Sequence, residues 1–265
     1  MMLDPGGVAG ACHRRTFSRH HGQPRVSGNV ADVLRAARCR RTDRLRRFDY
    51  FTLSFSDLQR VKTFHDAISP MDPRVTELHC IMPLVNVPSV MIHGILSYYR
   101  ASRVAHRSVA LQPVQDKRDK KQVPGGLKLH QYANLYFHAR NPMLFKRKTE
   151  ASVLCVLRVS TQVLSVNGTV ITDQNAASDY VRFLSPTQWD LLPWNAIFAR
   201  NWTHPDDRIA YWRHRAQKCA EVLVPNGVAF SYVNGAYVVD AATSNALSGQ
   251  GFALPIDIDS DLFFY

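Results

Sequence analysis

The sequence predicts an α+β chain, in which short helices and strands are interleaved without regular β-α-β alternation. Three observations carry this. Residues 151–164 are rich in Val and Leu; two Asn-Gly dipeptides lie between β-formers; and helical spacing is confined to separate short segments. Neither G-x-G-x-x-G nor G-x-x-x-x-G-K-[ST] occurs, which argues against doubly wound and P-loop folds.

Taken in order, residues 1–74 form an N-terminal extension and residues 75–265 the folded domain. The first 48 residues hold eleven Arg, three Asp, no Lys and no Glu, with little apolar periodicity. Such a segment buries too little surface to offset its ordering cost, so it is expected to be largely disordered. Ser56 caps an expected helix over 56–69 carrying Leu58, Val61, Phe64 and Ile68 on one face, ended by Ser69-Pro70. A helix is expected over Val87–Ala101, interrupted at Gly94. Residues 103–126 read as a polar, basic loop with one short helix. One Asn-Gly hairpin is expected at Leu164–Ile171 around Asn167-Gly168, the other at Ser231–Val239 around Asn234-Gly235. Between them come a helix from about Pro186 to Trp202 and a basic helix from Asp206 to Ala220. The final Leu262-Phe263-Phe264-Tyr265 is expected to pack as a last strand.

Composition narrows the class of protein. With 46% apolar residues, 265 residues suffice for one sizeable core. No apolar run approaches the ~18–20 residues of a membrane span, so a soluble protein without a membrane partner is expected. Five scattered cysteines without a C-x-x-C pair argue against a disulfide framework or zinc site; they suit a reducing cytoplasm. The net charge of +12 is uneven: +8 falls in residues 1–48, leaving +4 for the other 217. A basic surface attracts nucleic acid by counterion release, and a basic tail is as readily a solvated arm.

Four blocks, in order, carry the functional reading. They are Glu77-Leu78-His79-Cys80-Ile81 with Asn86-Val87-Pro88-Ser89 and His93-Gly94-Ile95-Leu96; Val114-Gln115-Asp116-Lys117-Arg118 with Val123-Pro124-Gly125-Gly126; the run Leu129 to Leu144; and Thr172-Asp173-Gln174-Asn175-Ala176-Ala177-Ser178 with Gln217 to Val224. These blocks resemble the signature segments of the DarT family of DNA ADP-ribosyltransferases across roughly residues 77–240. The run Leu129-His130-Gln131-Tyr132 through Tyr136-Phe137 to Arg140-Asn141-Pro142-Met143-Leu144 is the most specific. The chain departs from the family at Cys80-Ile81-Met82, where a Thr and a second His are common, and at Gln131 and Gln174.

The resemblance implies an ADP-ribosyltransferase-like α+β fold, two small packed β-sheets with flanking helices and an NAD cleft. It also implies NAD as co-substrate without a metal, single-stranded DNA as acceptor, thymidine or guanosine as the modified base, and a macrodomain-containing antitoxin as partner. Cleaving the nicotinamide–ribose bond develops an oxocarbenium-like charge, so a carboxylate beside the ribose is required. Glu221, where a basic helix meets Val222-Leu223-Val224, matches the family's catalytic Glu; on residues alone it reads first as a solvated Glu ending a helix rich in Arg and Lys. Arg118 matches the family's key Arg, suited to fork onto the pyrophosphate, although it lies in a basic run that alone suggests a solvated face. His79 matches an NAD-contacting His; Tyr136 and Phe137 match aromatics of the nicotinamide pocket and read otherwise as strand core. Lys117, Lys120, Lys121, Arg140, Lys146 and Arg147 are the candidate DNA cations, joined by Lys128 and Lys148. Tyr132 and His130 are candidate stacking planes, and Asn141 is suited to backbone or phosphate contacts. Two other readings remain: the same chemistry on RNA or protein, and a non-catalytic nucleic-acid-binding module on a decayed fold.

Overall fold

The computed structural model describes residues 71–265. The expected helix over 56–69 and the basic extension up to residue 70 lie outside them. Ten strands and seven α-helices follow in the order β1 (Leu78–Pro83), α1 (Val87–His93), β2 (Ile95–Leu96), α2 (Tyr98–Ala101), α3 (Gln112–Asp119), β3 (Tyr132–Tyr136), α4 (Pro142–Lys146), β4 (Leu154–Val159), β5 (Val170–Thr172), β6 (Phe183–Leu184), α5 (Trp194–Phe198), α6 (Arg208–Gln217), β7 (Glu221–Pro225), β8 (Gly227–Val228), β9 (Val233–Val238), α7 (Ala241–Gly249) and β10 (Ile256–Ile258). The fold is α+β, and two sheets are present but very unequal. One has eight strands, ordered β10-β9-β4-β1-β3-β7-β5-β6; the other is the two-stranded ribbon β2-β8. All pairings in the large sheet are antiparallel except β10 with β9.

The strands at the centre of this sheet are apolar on both faces. β4 and β7 are buried almost throughout, as strands covered on both sides must be. One face carries the larger core, including Leu78, Leu135, Leu157 and Val222. The other carries Ile81, Leu144, Leu154, Val156 and Phe263.

Several local expectations change in the tertiary setting. Helix α1 ends at Gly94, and Ile95–Leu96 pair with β8 instead of resuming the helix. Gly94 has φ 74°, and a Cβ there would lie 2.2 Å from the Val228 carbonyl oxygen, so glycine both breaks the helix and admits the ribbon. The Asn167-Gly168 turn forms, but Thr161–Ser165 ahead of it is a 3-10 helix and β5 pairs with β6 and β7. Asn234-Gly235 makes no reversal: β9 continues through it, with a bulge at Asn234 where Val159 pairs with Val233 and Arg158 with Gly235. There the Pro255 carbonyl lies 2.5 Å from where a Gly235 Cβ would stand, so the glycine serves a close backbone approach. The stretch 186–202 divides into a 3-10 helix, Pro186–Leu191, and α5, broken at Pro193. The basic helix is present as α6, with the Asp207 carboxylate accepting from the Ala210 N–H as N-cap. The C-terminal four residues form a turn, not a strand; Leu262 and Phe263 are buried from it.

Candidate active site

The strand register aligns four sequence blocks into one row. His79 on β1 pairs with Tyr136 on β3, which pairs with Glu221 on β7. On the far side of β1, His79 pairs with Arg158 of β4. Residues paired across neighbouring strands point to the same face, so His79, Tyr136 and Glu221 stand side by side although 142 positions separate the first from the last.

Glu221 is fully buried, at the first residue of β7. Arg118 Nη1 donates to both its carboxylate oxygens, at 2.9 and 3.3 Å, and the Ala176 N–H donates to Oε1 at 3.1 Å. The Glu221 N–H donates to Thr172 Oγ1 at 3.0 Å, which fastens the strand start to β5. Thus the expected fourth block converges on one carboxylate: Thr172 and Ala176 come from one segment, Glu221 from the other. Only Nη1 of the Arg118 guanidinium has a hydrogen-bond partner among the described residues, and the residue lines a cavity. Its remaining donors are available to an anion there.

Helix α3 brings Arg118 to this position and is tied down by neighbours. His130 Nε2 lies 3.1 Å from Gln115 Oε1 and its Nδ1 lies 3.3 Å from Asp119. The same ring stacks on Tyr98 at 4.3 Å. Burial lowers the pKa of His130. Lys121 donates to the Ser178 carbonyl. The preceding loop is anchored by Asn86, which exchanges two hydrogen bonds with the Arg107 backbone, and by Arg147 Nη2, which donates to the Val109 carbonyl at 2.7 Å.

The cavity has a volume of about 390 Å³, within the ~300–1,000 Å³ of ligand pockets. Its walls are largely apolar, from β1, α1 and Leu111, with polar side chains that include Asn86, Asn134, Asn175 and Tyr136 and cations that include Arg118, Lys146 and Arg215. Burial, reinforced by the Glu221 carboxylate, pushes the Tyr136 hydroxyl well above its ordinary pKa, so it is a neutral hydrogen-bonding group. A cavity with a cationic fork, a neutral phenol and a carboxylate behind them suits a dinucleotide with a pyrophosphate.

The other candidates distribute differently. Phe137 faces the opposite side of β3, 1% exposed and edge-on to Trp194, so it belongs to the core and not to the cavity wall. Tyr132 is buried and its hydroxyl accepts from the Leu127 N–H, which removes it as a stacking plane. His130 is committed to α3 as described. Lys121 and Arg147 are tethers rather than free cations; Arg147 also pairs with Glu150 at 2.8 Å. Arg140 donates to the Asp261 and Arg200 carbonyls. Lys117, Lys120, Lys128, Lys146 and Lys148 are exposed. Asn141 is the N-cap of α4, its Oδ1 accepting from the Met143 and Leu144 N–H groups.

His79 does not line the cavity. It contacts a second carboxylate: its Nε2 lies 3.4 Å from Glu77 Oε1, while its Nδ1 is buried without a hydrogen-bond partner among the described residues. Glu77 also accepts from Arg158 Nε and the Tyr237 hydroxyl, both at 2.8 Å. Burial alone would raise the Glu77 pKa, but the hydrogen bonds from His79, Arg158 and Tyr237 outweigh it and hold it at about 2. Nearby, the fully buried Lys218 donates to the Ile197 carbonyl at 2.7 Å and meets His138 Nδ1 at 2.6 Å. Burial brings Lys218 down to about 7, and burial with the Lys218 charge brings His138 down to about 3. The sequence offered no signal for this pair, since neither residue lies in a pattern that marks it as buried.

The sheet order, the carboxylate at the start of β7 and the Arg-bearing loop define a protein of the ADP-ribosyltransferase-like fold. The family model described as ssDNA thymidine ADP-ribosyltransferase, DarT, matches residues 80–264. This is well over half of the chain, and the chain belongs to the DarT family. It is 28% identical over 208 residues to a DNA ADP-ribosyl transferase–DNA ADP-ribosyl glycohydrolase fusion protein of Thermosipho africanus, covering 73% of this chain and 51% of that protein. The chain therefore spans about half the length of that relative. A DNA ADP-ribosyl transferase of Thermus sp. is 29% identical over 165 residues, covering 57% of this chain and 76% of the relative. The solved structure of Thermus sp. 2.9 DarT in complex with ADP-ribosylated ssDNA superposes with a TM-score of 0.62 at 23% identity, over 73% of this chain and 98% of that one. The same protein solved with NAD+ gives a TM-score of 0.58 at 24% identity, over 72% and 98%. These structural likenesses bear on the fold.

Proposed function

We propose that this chain transfers the ADP-ribosyl group of NAD to a base of single-stranded DNA, with thymidine as the first candidate base and guanosine as the second. The observation that carries the reading is the buried Arg118–Glu221 pair beside the cavity, in register with Tyr136. NAD supplies the ADP-ribosyl group. Arg118 turns its unbound donors toward the pyrophosphate, and Tyr136 walls the nicotinamide end. As the glycosidic bond breaks, nicotinamide leaves with the electron pair and positive charge develops on the ribose. Glu221 stabilises that charge by proximity in a dry site. A ring nitrogen of the base then forms the new bond to the ribose carbon, and Glu221 accepts the proton the base gives up. The bond exchanged is glycosidic, so this is pentosyl transfer. No metal is required, because the transition-state charge is met by a carboxylate.

The single-strand preference has a physical basis: a base already outside a duplex reaches a recessed carboxylate without the cost of unpairing. The Thermosipho relative is named as a fusion with a DNA ADP-ribosyl glycohydrolase, which supports a partner that removes the modification. The chain is thus proposed as the toxin of a pair with a macrodomain-containing antitoxin, acting in the cytoplasm. No helix among the described residues is long and apolar enough to cross a membrane.

The test is to incubate the protein and its Glu221→Gln variant with NAD and oligonucleotides that each carry one candidate base, then to weigh the products. An ADP-ribose-sized gain on one base, lost in the variant, is the expected result. Gain only on RNA or on protein would move the acceptor, and absence of NAD binding would leave a nucleic-acid-binding module.

A further inference from the structure

The strand that carries Glu221 has its weakest backbone support where the carboxylate stands. The β3–β7 ladder runs from Tyr132–Pro225 to Tyr136–Glu221 and ends there. The β5–β7 ladder stops one residue earlier, at Ile171–Val222, beyond which the Thr172 hydroxyl meets the Glu221 backbone. The last rung of a ladder opens first, because no further rung holds the strands together. Glu221 therefore occupies the rung of β7 most open to fraying, although a misplacement of about 1 Å at a reacting group can cost about a hundredfold in rate.

A side-chain bridge spans this open end. β3 leaves through His138, and β7 arrives through Lys218, the C-cap of α6. Lys218 is 1% exposed, and its Nζ donates to the Ile197 carbonyl at 2.7 Å and to His138 Nδ1 at 2.6 Å. An ammonium has donors alone, so His138 Nδ1 is the acceptor. Both acceptors are themselves fixed. Asn141 Nδ2 donates to the His138 carbonyl at 3.0 Å; α5, which bears the buried Ile197, packs Trp194 edge-on against Phe137 at 5.1 Å. The end of α6 also carries the carboxylate's backbone donor. The Ala216 carbonyl accepts from the Asn175 N–H at 2.9 Å, one residue before Ala176. Displacement of this helix end thus moves Glu221 and the Ala176 N–H together. The hydrogen-bond partners of Lys218 among the described residues are these two, neither of them acidic. An apolar side chain of the same volume would fill the place at a lower desolvation cost, so what the lysine adds is a pair of directed donors.

We propose that Lys218 is a positioning residue for Glu221: by joining His138 to Ile197 it closes the β3–β7 ladder at the rung that bears the carboxylate. The assignment rests on the function proposed above. Lys218 does not line the cavity, so its effect reaches the reaction through the backbone of residues 218–221. A bridge of this kind has a signature that a packing role lacks. Removing a buried charge while keeping its volume is often neutral or stabilising, so activity and stability should part company. His138 and Lys218 act through one contact, so losing either is equivalent to losing both.

The experiment combines transfer kinetics with amide exchange in Lys218→Met, His138→Phe and the double variant. Each single variant should lower kcat about tenfold or more, with the NAD Kd and the KM for DNA within about twofold of the parent. The urea midpoint of Lys218→Met should be unchanged or higher. Lys218→Arg, which keeps the donors, should recover most of kcat. The double variant should lose no more than the lower single variant. An unchanged kcat in Lys218→Met, or in His138→Phe where Lys218→Met does not fold, overturns the proposal. So does a double-variant loss equal to the product of the single losses. Exchange of the Glu221 and Ala176 amides needs no transfer, and it separates this proposal from the function it rests on. It should quicken about tenfold in Lys218→Met while Leu135 and Val222 keep the parent rate. That result supports the bridge even where the parent transfers nothing, whereas parental exchange at Glu221 and Ala176 overturns it.

Discussion

Two Arg-bound carboxylates lie on the same side of the sheet, and they are held in opposite ways. Glu77 is gripped by three side chains, His79, Arg158 and Tyr237, all from strands of the sheet or its edge. Glu221 has one charged partner, Arg118, borne on a helix of eight residues within the 103–126 loop, and one backbone N–H from Ala176. The first arrangement is redundant and rigid. The second depends on a single guanidinium that also lines the cavity, with donors other than Nη1 left for an anion there. A buried ion pair adds little net stability over an apolar contact, while removal of one partner strands a charge. On the proposed function the Glu221 site is a pair kept for chemistry, whereas the Glu77 site is a clamp.

Substitutions should separate the two. Glu221→Gln is expected to lower transfer by about a thousandfold or more, with NAD binding largely retained; titration of the variant with NAD and product mass together check this. Robust DNA modification by that variant would remove Glu221 from the mechanism. Arg118→Ala should weaken NAD binding about tenfold or more and destabilise the fold by about 3–5 kcal/mol, since Glu221 is left buried with one N–H. An unchanged NAD Kd would reject the phosphate role. Glu77→Gln should cost about 2 kcal/mol of stability in urea unfolding, with kcat within severalfold of the parent. A collapse of kcat at full stability would make the clamp part of the reaction.

Acid unfolding sharpens the contrast further. Glu77 ionises at about 2 in the folded protein against its ordinary 4.5, so the unfolded chain binds more protons between those values. Stability from this carboxylate is present above pH 4.5 and is lost as pH falls toward 2. His138 is held neutral down to about 3 against 6.5, so it gives a separate decline, in the same direction, that begins near 6.5. Each contributes at most one proton's slope, about 1.4 kcal/mol per pH unit. His138→Gln should flatten the upper limb and Glu77→Gln the lower, measured by unfolding free energy against pH. The reverse assignment of limbs would refute these pKa directions.

The chain order of the four blocks was legible because each is a local run of residue types. So were the basic helix that became α6, the short helix inside 103–126 and the break at Gly94, each a matter of local residue pattern. The Asn-Gly dipeptides misled for a specific reason. A turn signal reports what a segment can do in isolation, and Gly235 was there to admit the Pro255 carbonyl instead. Among candidate site residues, Arg118, Tyr136 and Glu221 come together as expected. Phe137 does not, because alternation along β3 sends its ring to the opposite face, while Tyr132 lines the cavity with its hydroxyl tied to the Leu127 N–H. Lys121, Arg140 and Arg147 were indistinguishable in sequence from free surface cations, since a carbonyl partner carries no residue signature.

By itself the sequence determined the α+β class, the family and the residue types a glycosidic transfer needs, because these are written in composition, local pattern and the order of motifs. Only the tertiary structure decided which carboxylate is dry, which cations are free and which lysine is buried. Burial and pairing depend on partners that lie far away in sequence, and strand register is what brings those partners to a common distance.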